Sequence, residues 1–109
     1  KFCTNYGFSA SVVHNIQREK IQKGTAYICL MEDDLVILIE KIKEIGLKIG
    51  KDIGVISYNE TPLKKLILQG ITTFSTDFEL MGEEAARLIL EGSKKHIEIP
   101  FHVRLRPSL

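Results

Sequence analysis

Three short clusters hold the side chains with the most chemical reach: Met31-Glu32-Asp33, Tyr58-Asn59-Glu60 and Ser75-Thr76-Asp77. Each closes or follows a short apolar run, the mark of a strand buried on both faces. In parallel sheets ligands sit beyond the carboxyl ends of the strands, so these clusters point to recognition of a small molecule. Covalent chemistry has no comparable signal. No Ser or Cys stands in a nucleophile setting with a partnered base, and no Gly-rich phosphate loop appears. His14, His96 and His102 show no metal-ligand spacing with cysteines or carboxylates. The chain therefore reads as a binding module, not an enzyme, with no metal and no cofactor.

The elements that must position these clusters follow from periodicity. A strand is expected over residues 26–31. Glu32, Asp33 and Asp34 then place negative charge at a helix start, where free amides favour it. Leu35, Leu38, Ile39, Ile42 and Ile45 form that helix's apolar stripe. Val36 and Ile37 widen it, which suggests a second buried contact such as a subunit interface. Gly50-Lys51-Asp52 is a turn before a strand over 53–57. Thr61 is placed to cap a short helix with Pro62 at its first position and Gly70 at its end. A strand over 71–75 follows. Thr76 and Glu79, spaced as a capping box, open a helix to about Glu91 that stops at Gly92. Residues 96–106 alternate strictly, and Pro100 marks them as an edge strand. Arg104 and Arg106 form a solvated basic stripe there. Before all this, residues 1–4 suit a short strand, Asn5-Tyr6-Gly7 a turn, and residues 9–23 a helix. The fold class is α/β, a doubly wound, mostly parallel sheet with flanking helices.

The totals bound the rest. A length of 109 residues fits one domain. With 44% apolar and 27% charged residues the chain is globular, not disordered. A net charge of +1 supplies no field for holding DNA or an acidic membrane. Cys3 and Cys29 are too few for a disulfide framework, and Cys29 inside an apolar strand reads as a buried free thiol. No segment is long and apolar enough for a membrane span, and the opening residues do not read as a signal peptide. A cytoplasmic location is expected.

The ordered set Thr25-Ala26, Gly46-Leu47, Asp52-Ile53, Ser57-Tyr58-Asn59-Glu60-Thr61, Ile71-Thr72-Thr73 and Gly82 through Ala86 resembles the effector-binding domain of LacI/GalR-type transcription regulators. That domain is related in fold to periplasmic sugar-binding proteins. The resemblance covers residues 25–109 well and 1–24 loosely. It implies that residues 1–109 are a partial effector-binding domain, mainly its C-terminal lobe. The DNA-binding domain lies outside the chain. It further implies a sugar-like effector held between two lobes, DNA contacted only through that missing domain, no membrane partner and a homodimer. A periplasmic sugar-binding protein of a transporter is the alternative. A receiver-type phosphoacceptor fits less well, because Asn59 and Asp77 match neither of its required positions.

By the same resemblance Asn59 occupies the position that hydrogen-bonds sugar hydroxyls, where the family more often has an acid. Asn donates and accepts, which suits such a ligand; an Asx-type turn would also explain it. Tyr58 leaves the strand beside it. Met31 aligns with a position that is often Asn and reaches the effector, so an apolar wall replaces a hydrogen bond. Glu32 aligns with the adjacent Asp, although helix capping also accounts for the Glu32-Asp33-Asp34 triplet. Phe78 aligns with an aromatic that packs on the ligand at the hinge, or else packs the first turn of its helix. Asn5 and Tyr6 lie near a further effector contact, or form a turn.

Overall fold

The computed structural model describes residues 2–109. Among these residues one four-stranded sheet has the order β1-β2-β3-β4. The strands are β1 (Ala26–Cys29), β2 (Gly54–Tyr58), β3 (Thr72–Thr76) and β4 (Phe101–Arg104). β1, β2 and β3 run parallel, and β4 returns antiparallel along β3 as an edge. The helices are α1 (Phe2–Tyr6), α2 (Glu32–Glu44) and α3 (Phe78–Leu90). The mostly parallel α/β sheet read from the apolar runs is thus observed.

α2 starts on its acidic triplet and ends with Lys41 and Lys43 in its last turn, charges that complement the helix dipole. Gly46, at φ 73°, closes it, and the Leu47 amide donates to the Ile42 carbonyl. Its buried side (Leu35, Leu38, Ile39, Ile42) packs with Tyr27, Cys29, Val55 and Ile71 in one core. Leu38 and Ile42 are wholly buried, each contributing about 1.5–3 kcal/mol. Burial pushes the Cys29 thiol up to about 11, with Asp34 adding to the rise and Lys64 opposing it. The thiol is therefore neutral and unreactive at neutral pH.

The chain end clamps the start of the β2 to β3 ladder. The Ser108 hydroxyl donates to the Val55 carbonyl at 2.6 Å and accepts from the Thr72 amide at 2.7 Å. The Val55 amide donates to the Ser108 carbonyl at 2.7 Å. Thr72 Oγ1 accepts from the Arg106 amide and donates to the Arg106 carbonyl. Gly50 is required here, because a Cβ on it would lie 1.8 Å from the Pro107 carbonyl oxygen.

Several sequence expectations are corrected. Residues 2–6 are helical where a strand was expected over 1–4; Lys1 lies outside the described residues. Residues 9–23 form no helix. The carbonyls of Ile16, Gln17 and Glu19 instead accept from Lys41 Nζ at 3.0, 2.6 and 2.7 Å. Of these acceptors only Ile16 O also takes a local turn bond, from the Glu19 amide, and the β-branched pair Val12-Val13 adds little helix propensity. The segment after Thr61 is two short 3-10 turns (Pro62–Lys65, Ile67–Gln69), broken where Leu68 and Gln69 take positive φ. Thr61 makes no side-chain cap there. α3 is capped by Asp77, whose carboxylate accepts from the Leu80 amide at 2.9 Å, and not by Thr76. The last strand shrinks to four residues, all exposed, since alternation becomes burial only where a face is covered.

Candidate functional site

The parallel register pairs Cys29 with Ser57 and Tyr58 with Phe74, so the exits of β1, β2 and β3 share one rim. Met31 is the N-cap residue of α2 and is largely exposed; Glu32 is the first helical residue and also exposed. Tyr58 ends β2, and its ring lies 6.3 Å from that of Phe101. Asn59 turns the chain with φ 60°, a left-handed conformation that Asn tolerates better than most residues. Its amide donates to the Phe74 carbonyl at 2.6 Å. Its side-chain oxygen Oδ1 is buried with no hydrogen-bond partner among the described residues. A buried acceptor left unpaired is costly and demands an explanation.

Lys64 joins two of these exits. The turn after Pro62 folds it back under the rim, where its side chain is 3% exposed. Its ammonium donates to the carbonyls of Tyr58 at 2.9 Å and Asn59 at 2.8 Å, and pairs with Glu32 Oε1 at 3.3 Å. Sequence reasoning missed it, since nothing in Leu63-Lys64-Lys65 marks one lysine as buried.

Glu60 is committed elsewhere. Its carboxylate accepts from both Arg106 terminal nitrogens at 3.0 and 3.1 Å and from Thr73 Oγ1 at 2.5 Å. Burial raises its pKa, but the Arg106 and Thr73 hydrogen bonds outweigh this and hold it below the ordinary value. Arg106 is thus half-buried and bidentate, not part of a solvated stripe.

Phe78 opens α3 and lines a hollow of about 180 Å³ with Glu60, Ser75, Thr76, Asp77, Glu79, His102 and Arg104. The backbone amide of Leu80, and then His102 Nε2 at 2.9 Å, hold the Asp77 carboxyl below its usual range. A larger hollow of about 290 Å³ lies at the opposite end of the strands, around Gly24, Gly50 and Leu109. It is on the wrong side of a parallel sheet for a ligand.

The structure therefore gathers Glu32, Tyr58 and Asn59 around Lys64. It sets Phe78 in the neighbouring hollow, joined to the Asn59 turn through the Glu60 amide, which donates to Ser75 Oγ. Met31 is exposed and does not line the hollow beside Phe78. Asn5 and Tyr6 are exposed on α1 and do not line the hollow beside Phe78. Among the described residues no group of three or more His, Cys, Asp or Glu is placed to hold a metal ion. No helix among them is long and apolar enough to cross a membrane.

Residues 4–109 match the family described as the periplasmic binding protein-like domain. The chain belongs to that family. Curated relatives are named as transcriptional regulators or repressors. The HTH-type transcriptional regulator KdgR of Bacillus subtilis is 29% identical over 103 residues, 89% of this chain and 30% of the relative. The HTH-type transcriptional repressor PurR of Aliivibrio salmonicida is 32% identical over 91 residues, 83% of this chain and 27% of the relative. This periplasmic binding protein-like chain thus spans less than a third of the length of either. Among solved structures, a LacI family transcriptional regulator from Lactobacillus casei with bound sucrose superposes with a TM-score of 0.64. It is 19% identical and covers 77% of this chain and 33% of its own, a likeness that shows the fold.

Proposed function

We propose that this chain is part of the effector-sensing domain of a bacterial transcription regulator. A small sugar-like ligand binds between two lobes and modulates DNA binding by a separate domain. The observation that carries the reading is the partly buried Asn59 turn at the strand-exit rim beside Tyr58 and Lys64, an amide side chain of a type suited to a ligand hydroxyl. Regulator relatives support it, as does the sucrose held by a neighbour of the same fold. Ligand would act by favouring one of two lobe arrangements for which its affinity is higher. The bare stripe of α3, with Met81 and Ile89 exposed, suits packing on a second lobe or a second copy of the chain.

Isothermal titration of the full-length gene product with D-glucose, D-ribose and sucrose tests this reading. Binding of one of them, weakened about tenfold by Asn59→Ala, is the expected result. The isolated 109-residue chain supplies one wall and should bind weakly or not at all. Full affinity in that isolated chain, or no response in the intact protein, would overturn the reading.

A further inference from the structure

Lysine is almost never fully buried unless it is paired, because its ammonium loses its hydration. Lys64 is 3% exposed; its ammonium donates to Tyr58 O and Asn59 O and forms an ion pair with Glu32 Oε1 at 3.3 Å. These acceptors belong to two separate walls of the rim: the turn after β2 and the first residue of α2. Glu32 and Asn59 share no hydrogen bond; beyond the β1 to β2 ladder, which pairs Cys29 with Ser57, the ammonium is the side-chain link between them.

Building on the sensor reading above, we infer that Lys64 is a positioning residue of the effector site. It fixes the spacing between the β1 exit and the β2 exit, so that both walls meet the ligand together. Its bond to the Asn59 carbonyl secures the left-handed turn (φ 60°) that buries Oδ1. Its ion pair with Glu32 is the exposed arm of the link, with Glu32 64% exposed. A change at Glu32 should therefore be felt at Asn59 through the cation.

The test pairs hydrogen exchange by mass spectrometry with titration of D-glucose, D-ribose and sucrose, on the full-length gene product. Wild type, Glu32→Gln and Lys64→Met are compared. Glu32→Gln leaves the buried lysine in place, so it remains informative even if Lys64→Met fails to fold. The expected result is several-fold faster exchange over residues 58–61 in Glu32→Gln, although the substitution lies in α2. Sugar affinity should fall by about tenfold, with a non-additive double variant. Unchanged exchange over 58–61 alongside normal sugar binding overturns the positioning role and leaves the sensor reading intact. No sugar binding by the wild type overturns the sensor reading, and the positioning role falls with it.

Discussion

The β2 to β3 junction and the arm made of α3 and β4 have opposite fates, although the arm is the more apolar of the two. At the junction Val55, Thr72, Thr73 and Ser108 are completely enclosed or nearly so, and their polar atoms are bonded. On the arm, α3 has no buried residue and all four residues of β4 are exposed. The molecule is drawn out to match, at 55 × 34 × 23 Å with a radius of gyration of 17.2 Å. A compact chain of about 100 residues would measure about 13 Å. An apolar stripe thus earns stability only where another element covers it. α3 holds its shape through local devices: the Asp77 cap and the bonds of Arg87 to Glu84 and Glu91.

The largest effect is expected where cover is most complete, at Leu38 of α2 in the core. Leu38→Ala should cost about 2–5 kcal/mol of unfolding free energy in chemical denaturation. A loss below about 1 kcal/mol would mean that α2 does not anchor the fold. At the junction, Ser108→Ala removes the acceptor of a buried Thr72 amide and should cost about 1–3 kcal/mol. A neutral result would show the chain end to be a passenger on the ladder.

A smaller effect is expected from acid. The Glu60 carboxyl sits below its ordinary value of 4.5 in the folded chain. Its contribution is full above that value and is lost as pH falls through the folded pKa. Stability should therefore decline from about pH 4.5 downward, and Glu60→Gln should flatten that part of the curve. An unchanged acid limb in the variant would break the link to Arg106.

The smallest stability effect belongs to the arm. Ile89→Ala should stay within about 0.5 kcal/mol of wild type, because Ile89 is 80% exposed. Ile89→Glu should instead lower self-association of the isolated chain in light scattering. A strictly monomeric wild type at high concentration would count against any pairing through α3.

Much of the fold was legible because its signals are local. The acidic triplet before the Leu35, Leu38, Ile42 stripe announced α2, and Gly92 announced the end of α3. The three apolar runs gave parallel strands to within two residues at each end. The site was legible only in outline: strand exits and the Asn59 turn could be read, whereas the commitment of Glu60 and the burial of Lys64 could not. Residues 9–23 misled, since a plausible apolar spacing lost its carbonyls to Lys41.

Periodicity and capping chemistry act within a few residues, so the sequence by itself determined which segments became helix or strand and that the strands ran parallel. Contacts across 34 to 53 residues have no local signature. The seat of Ser108 against Val55, the grip of Arg106 on Thr72 and the pairing of Arg106 with Glu60 were therefore decided by the tertiary structure. Lys64 is the exception in distance but not in kind. It is five residues from Asn59, yet its burial depends on a sheet edge and a helix start that only the assembled fold brings together.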